Sequence, residues 1–154
     1  MGLLFRCGNA TEYHLSHPLV YPMVLGAQHG LHEAGRPAVL SVCDGSEESD
    51  AQAIAMLRRV GAAGVIVVND AKPATLERVR DAGMPVVWFG VNVWEETGCV
   101  RRDEQAAGRV VTDAAIAAGD KRLFIVMAHK KDSNHHSHEG RLAGIKASAD
   151  RGGL

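Results

Sequence analysis

Short apolar runs alternate with longer amphipathic stretches along this chain. The apolar runs are rich in β-branched residues, and they are continuous instead of alternating with polar positions. That pattern is typical of strands that are buried on both faces of a parallel sheet. We predict strands at residues 3–5, 38–42, 64–68, 85–89 and 123–127.

A helix is predicted after each of these five strands. Ser46 and Asp103 are suitable N-caps for the second and fourth helices, Pro73 opens the third, and Gly35 and Gly119 end the first and fourth. The positions expected to face the core are Leu19, Met23, Ala27 and Leu31; Ile54, Leu57 and Val60; Leu76 and Val79; Ala107, Val110, Val111, Ala114 and Ala117; and Leu142, Ile145 and Ala149.

The fold class predicted from this order is α/β, with a doubly wound parallel sheet and helices on both of its faces. We expect residues 1–154 to form a single domain whose strands close in the flavodoxin-like order 2-1-3-4-5. The alternative is that the fifth strand is exchanged with, or borrowed from, a partner chain. Ligands of such sheets bind beyond the carboxyl ends of the strands, in the loops at 6–18, 43–47, 69–73, 90–102 and 129–140.

Charge and motif content exclude several function classes. Seventeen basic and 18 acidic residues give a formal net charge of -1, and no basic run is present, so this chain is not expected to hold nucleic acid by itself. No apolar run reaches the roughly 18–20 residues that span a membrane, and no secretory signal is visible. No phosphate loop, dinucleotide fingerprint or nucleophile elbow occurs. We therefore expect a cytoplasmic protein that is not an enzyme, with no cofactor.

The three cysteines, Cys7, Cys43 and Cys99, are too scattered for a disulfide framework or a metal site of the CxxC type. We interpret them as small buried side chains in a reducing compartment. A meeting of Cys7 with Cys43 on neighbouring strands is an alternative.

Polar side chains follow two of the predicted strands. Asp44, Asn69 and Asp70 can accept hydrogen bonds from ligand hydroxyls, or they can cap turns and helices. Asn69 is the better candidate for a ligand contact because its strand is central in the expected order. Trp88 and Trp94 flank the fourth predicted strand and its loop, and either can stack on a ligand, although burial in a core is the commoner role of tryptophan.

A histidine-rich segment precedes the last helix. His136 and His138 can reach one zinc or nickel ion if the segment is a loop, and His135 and His138 can do so if it is a helical turn. A polar solvated segment that happens to carry histidines is the favoured interpretation, and Lys130 and Lys131 would oppose a bound cation.

Six short motifs resemble, in order and in spacing, those of the effector-binding domain of LacI/GalR-type bacterial transcription regulators. They are Ser16-His17-Pro18-Leu19-Val20 with Gly26, Gly64-Val65-Ile66-Val67, Gly83-Met84-Pro85-Val86-Val87, Val100-Arg101-Arg102-Asp103-Glu104-Gln105-Ala106-Ala107-Gly108, Gly119-Asp120-Lys121-Arg122-Leu123 and Arg141-Leu142-Ala143-Gly144.

The resemblance implies a periplasmic-binding-protein-like domain that is truncated. Residues 1–98 are similar to the first lobe and residues 99–154 to the start of the second. It further implies a small-molecule effector that is sugar-like or otherwise polar, a homodimer, and DNA contact only through a helix-turn-helix absent from this chain. The expected ligand-binding residues are His17, Asp44, Asn69 and Glu139.

Three positions depart from the family pattern. Gly90 stands where the family places an Asp, Glu139 where it places a sugar-gripping Arg, and Leu19 and Val20 where it places aromatic residues. A carboxylate in place of a guanidinium reverses the recognition chemistry, so a common aldose is not expected. A cationic or amine-bearing ligand is one hypothesis, and a lost effector site is another. Two further functions stay open: a solute-binding module, and a small flavodoxin-like protein with a His-rich metal site.

Overall fold

The computed structural model describes residues 2–6, 20–68, 72–126 and 136–153. The strands are β1 (Gly2–Arg6), β2 (Val39–Cys43), β3 (Val65–Val68), β4 (Val86–Phe89) and β5 (Cys99–Val100). The helices are α1 (Val20–Glu33), α2 (Glu47–Arg59), α3 (Pro73–Asp81), α4 (Glu104–Ala117) and α5 (His136–Gly152). The chain divides into two compact units, Met1–Arg101 and Arg102–Leu154. The family resemblance placed the change of lobe three residues earlier, between residues 98 and 99.

All five strands belong to one parallel sheet in the order β2-β1-β3-β4-β5. The α/β class and the nominal order 2-1-3-4-5 are therefore confirmed. One row of the register runs across the sheet from Val42 through Phe5, Val68 and Phe89 to Val100. The strands consequently end at nearly the same level, which aligns the loops that follow them.

The fifth strand of this sheet is a different segment from the one that the apolar pattern predicts. Cys99–Val100 takes the place beside β4, where the Trp88 N–H donates to the Gly98 carbonyl over 2.6 Å and the Gly90 N–H donates to the Val100 carbonyl over 3.0 Å. Residues 121–126 form no strand, so the prediction for 123–127 is wrong over 123–126.

Two clusters form the core of the first unit, one on each face of the sheet. Val24 of α1 packs with Val68 and, among partly buried side chains, Leu40. The larger cluster lies under α2 and α3 and includes Leu57 and Trp88. The predicted core positions Ile54, Leu57, Leu76 and Val79 are buried, whereas Val60, at 50% exposure, is not. The helices thus cover both faces, as continuous apolar strands require.

A buried carboxylate ties α2 to α3. Asp50 is fully buried, and its Oδ2 accepts hydrogen bonds from Thr75 Oγ1 at 2.7 Å and from Arg78 Nη1 at 2.6 Å. A buried ion is tolerated only when it is paired and hydrogen-bonded in this way. The contact fixes the spacing of the two helices beneath the sheet.

Glycines bring α4 and α5 together in the second unit. A Cβ at Gly144 would overlap the Gln105 carbonyl oxygen, and a Cβ at Gly108 would overlap the carbonyl oxygen of Arg141. Both glycines belong to the motifs that carry the family resemblance. Their function in this fold is to let two helix backbones approach each other closely.

The predicted apolar stripe of α4 faces outward, which contradicts the prediction. Val110 and Val111 are each 68% exposed, and the alanines of the stripe are exposed as well. Gly108 and Thr112 are buried instead. The prediction assumed a sheet beneath α4, but the described residues of this unit contain no strand, and the small side chains face α5. None of the described helices is long and apolar enough to cross a membrane.

Candidate ligand-binding edge of the sheet

The carboxyl ends of the parallel strands form the edge at which ligands of such folds bind. The segments that follow β2, β4 and β5 are described, and they begin at Asp44, Gly90 and Arg101. His17 and Asn69, two of the predicted binding residues, lie outside the described residues, as does Cys7. Cys43 is buried.

Asp44 is built into the turn between β2 and α2. Its Oδ1 accepts a hydrogen bond from the Ser46 N–H at 2.8 Å, and its own N–H donates to Ser49 Oγ at 3.2 Å. Ser46 caps α2, as predicted, by accepting from the Ser49 N–H. The hydrogen bond from the Ser46 backbone holds the pKa of Asp44 below its ordinary value. Asp44 is therefore an exposed, ionised acceptor that also orders the turn.

The charge around Asp44 is mainly negative. Glu47 and Glu48 follow in the first turn of α2, where carboxylates interact favourably with the helix dipole. Lys72 reaches the same turn and donates from Nζ to the Gly45 carbonyl at 3.3 Å. This end of the edge suits ligands that donate hydrogen bonds, such as hydroxyls or amines, better than it suits anions.

Gly90 explains one departure from the family pattern in physical terms. Its φ of 66° lies in the left-handed region that favours glycine, and a Cβ there would approach Met23 Cε to 3.3 Å. An Asp at this position would be strained in this backbone. The end of β4 therefore offers backbone groups in place of the carboxylate that the family pattern puts there.

Arg101 and Trp94 form a stacked pair at the end of β5. The guanidinium carbon lies 5.1 Å from the centroid of the Trp94 ring, and Trp94 is 66% exposed. Arg101 is not among the residues predicted from the sequence. Trp94 lies in the loop after β4 and Arg101 follows β5, so neither belongs to a helix or strand whose periodicity would indicate the contact.

The two described polar ends of the edge are far apart. Asp44 follows β2 and Arg101 follows β5, and the sheet order puts four inter-strand spacings between them. At the usual strand spacing this amounts to about 19 Å. One small ligand cannot contact both residues.

Glu139 and two of the histidines lie in the first turns of α5, in the second unit. Glu139 is exposed, at the helix end where a carboxylate is stabilised by the dipole. His136 and His138 are two positions apart on a helix, so they do not face each other, and the pairing expected for a loop does not form. Within the described ranges no group of three or more metal-ligating side chains occurs, and His135 lies outside them.

Glu104 is the electrostatic centre of the second unit. It is 6% exposed, and its carboxylate meets Arg102 Nη2 at 2.8 Å and Arg141 Nε at 2.5 Å. Burial raises the pKa of Glu104, but the hydrogen bond from Arg141 and the charges of Arg102 and Arg141 outweigh it and lower the pKa overall. Asp103, as predicted, caps α4 by accepting from the Ala106 N–H at 2.7 Å. These motif residues stabilise the helix pair.

Comparison with solved structures identifies the fold as that of LacI-type transcription regulators. A transcription-regulator-like protein from Staphylococcus haemolyticus aligns over 99% of this chain with a TM-score of 0.74 and 15% identity. A LacI-family sugar-binding transcriptional regulator from Escherichia coli, solved with phosphate, aligns over 99% with a TM-score of 0.68 and 18% identity. A periplasmic binding protein/LacI transcriptional regulator from Alkaliphilus metalliredigens, solved with D-xylulofuranose, aligns over 99% with a TM-score of 0.68 and 17% identity.

This chain spans 58%, 54% and 53% of the length of those three proteins, respectively. All three are described as transcription regulators, not as enzymes. Comparison with protein-family models and with curated protein sequences gave no match. The resemblance that the motifs indicated is thus confirmed at the level of the fold.

Proposed function

We propose that residues 1–154 form part of the small-molecule-sensing domain of a LacI-type transcription regulator in the bacterial cytoplasm. The observation that carries this proposal is the alignment of 99% of the chain with solved regulators at TM-scores of 0.68–0.74. The order of the motifs supports it. The domain would act by binding an effector and shifting a conformational equilibrium, without catalysis.

The effector is proposed to bind at the carboxyl edge of the sheet, with His17, Asp44, Asn69 and Glu139 as polar contacts. An ionised Asp44 among other carboxylates supports a ligand that donates hydrogen bonds, either a polyol or an amine. Gly90 supports the view that the ligand differs from a common aldose, because the family's carboxylate cannot be accommodated there without strain.

The variant Asn69→Ala tests this assignment. Compounds that raise the unfolding temperature of the wild-type chain are first selected from a panel of aldoses, polyols and amines. Asn69→Ala is then expected to weaken the selected compound by roughly tenfold, the value of one or two lost hydrogen bonds, without unfolding the domain. Asp113→Ala, in the second turn from the end of α4, is the matched surface control. Unchanged affinity would remove Asn69 from the site.

Association as a homodimer is part of the proposal. Exposed apolar side chains in the second unit support it, since Phe124 is 90% and Val126 is 97% exposed. Covering such a surface is favourable by about 25 cal/mol per Å². Light scattering should give twice the 16.4 kDa mass of the chain, and Phe124→Ser with Val126→Ser should lower it. A monomer over the whole accessible concentration range would contradict this part.

DNA contact would be made by a helix-turn-helix outside residues 1–154.

A solute-binding module is the second candidate. The Alkaliphilus metalliredigens protein is described both as a periplasmic binding protein and as a LacI regulator, which supports keeping it. The gene distinguishes the two functions: an encoded upstream helix-turn-helix favours the regulator, and an encoded signal peptide favours the binding protein.

A further inference from the structure

Two arginine–tryptophan stacks occur in the described part of the first unit, and they differ in how the arginine is neutralised. Arg80 lies 5.3 Å from the Trp88 ring centroid, and Arg101 lies 5.1 Å from that of Trp94. The geometry is nearly equal. The surroundings of the two guanidinium groups therefore decide what each pair can do.

The charge of Arg80 is already paired with a carboxylate. Arg80 Nη2 lies 2.8 Å from Glu95 Oε1, and this hydrogen bond, together with one from Trp88, keeps the pKa of Glu95 low. Trp88 itself is 2% exposed and belongs to the core. This stack holds the loop after β4 against α3 and has no capacity for a ligand.

The charge of Arg101 is not paired with a carboxylate of any described residue. None of the described residues forms an ion pair with Arg101, and its buried Nε–H finds no acceptor among them. The neighbouring Arg102, in contrast, forms an ion pair with Glu104. The buried Nε–H is out of reach of a dissolved ligand, so a ligand would bind the Nη1 and Nη2 end of the guanidinium.

Stacking adds direction to this charge. The guanidinium carbon lies over the indole ring, and the end of the group that carries Nη1 and Nη2 offers two parallel N–H donors. That fork matches the two oxygens of a carboxylate or a phosphate. The exposed Trp94 ring then lies beside the bound group, where it can cover an apolar part of the ligand.

We propose that Arg101, held by Trp94, binds an oxyanion of a small molecule at the carboxyl end of β5. Arg101 is not among the proposed effector contacts, and it lies about 19 Å from Asp44 across the sheet. It requires neither that the ligand be sugar-like nor that the parent protein bind DNA.

The test is an NMR titration of the whole chain with inorganic phosphate in one arm and citrate in the other, at about 0.15 M salt to screen weak surface binding. The Arg101 Nε–H signal, assigned by its loss in Arg101→Lys, should shift and saturate. A shift with phosphate alone defines a phosphate site, and a shift with citrate alone defines a carboxylate site. Saturation in both arms defines a general oxyanion site.

Variants establish which residues bind. Arg101→Gln should weaken binding by about tenfold or more, as expected for a charged hydrogen bond. Trp94→Leu should weaken it by about two- to fivefold through the lost stacking. Arg59→Gln, which changes an exposed arginine of α2, is the control and should leave it unchanged. No saturable shift in either arm, or equal weakening by Arg59→Gln and Arg101→Gln, would overturn the proposal, and neither result depends on the Asn69 experiment.

Discussion

The contact between α4 and α5 leads to a prediction whose sign can be worked out from the backbone. In Gly144→Ala the new methyl group would overlap the Gln105 carbonyl oxygen and would lie 3.0 Å from the Arg109 nitrogen. Both atoms belong to the backbone of α4, so no side-chain rotation can relieve the overlap. The two helices would have to separate.

The magnitude follows from two opposing terms. Overpacking a well-fitted contact costs about 1–3 kcal/mol, and a rigid backbone partner puts this case at the upper end. Replacing glycine by alanine inside a helix stabilises the helix by about 1 kcal/mol. The expected net effect is a loss of about 2 kcal/mol from the free energy of unfolding of the second unit.

Gly26→Ala is the matched control. Gly26 is exposed in α1, and a Cβ there would meet no atom within 4 Å. Only the propensity term applies, so this variant should be stabilised by about 0.5–1 kcal/mol.

Hydrogen exchange of backbone amides measures each unit separately. Both tryptophans lie in the first unit, so fluorescence does not report on α4 and α5. Protection of α5 amides should fall in Gly144→Ala, and protection of α1 amides should rise in Gly26→Ala. A Gly144→Ala chain with α5 protection equal to or above that of the wild type would refute the close helix contact.

Three further predictions concern charge and capping. Arg78→Ala leaves the buried Asp50 carboxylate without its cation. Because Arg78 is 29% exposed, we expect about 3 kcal/mol of destabilisation, the low end for a broken buried pair. Urea unfolding followed by the fluorescence of Trp88 measures this loss. Because the pKa of Glu104 is lowered in the folded chain, its contribution to stability is complete above the ordinary value of 4.5 and is lost as the pH falls through the folded-state pKa. In Glu104→Gln, the protection of α5 amides from hydrogen exchange should therefore depend less steeply on pH in the acid range. An unchanged pH dependence would exclude Glu104 as its source. Asp103→Ala removes the cap of α4 and should cost about 0.5–2 kcal/mol by the same exchange measurement, whereas Asp103→Asn should retain most of it.

The first unit could be predicted largely from the sequence because its signals are local. Continuous apolar runs identified β2, β3 and β4, and Ser46 identified the start of α2. β5 was missed because two residues, Cys99 and Val100, are too few to form a pattern. Its place in the sheet depends on the turn that ends at Gly98, with a φ of 75°.

The second unit was misread because an apolar stripe was taken to mark the packed face of α4. The packed face instead carries Gly108 and Thr112, which have little hydrophobicity, and it is defined by how closely α5 approaches. Close approach is a tertiary property that periodicity does not encode. The motifs Asp103–Gly108 and Arg141–Gly144 contain the two glycines that permit this approach. In the sequence these glycines stand out only as part of a family pattern, which gives no physical reason for them.

The carboxyl edge of the sheet could be predicted from the sequence as a region, since the carboxyl ends of parallel strands always lie together. Its individual residues were harder to choose. For Asp44 the sequence left a ligand contact and a turn cap open, and the structure shows the turn cap. Arg101 acquires significance only through its contact with Trp94 and because no described residue forms an ion pair with it.

Chemical-shift mapping of bound effector tests the central claim most directly. Uniformly labelled chain is titrated with the polyols, amines and aldoses that stabilise it against heat, and the backbone amide shifts are followed residue by residue. The account predicts saturable shifts at residues 44–46 and 90–92, at the carboxyl ends of β2 and β4. Shifts confined to the opposite edge of the sheet, around residues 36–38 and 62–64, would contradict it, and so would the absence of any saturable shift across the panel.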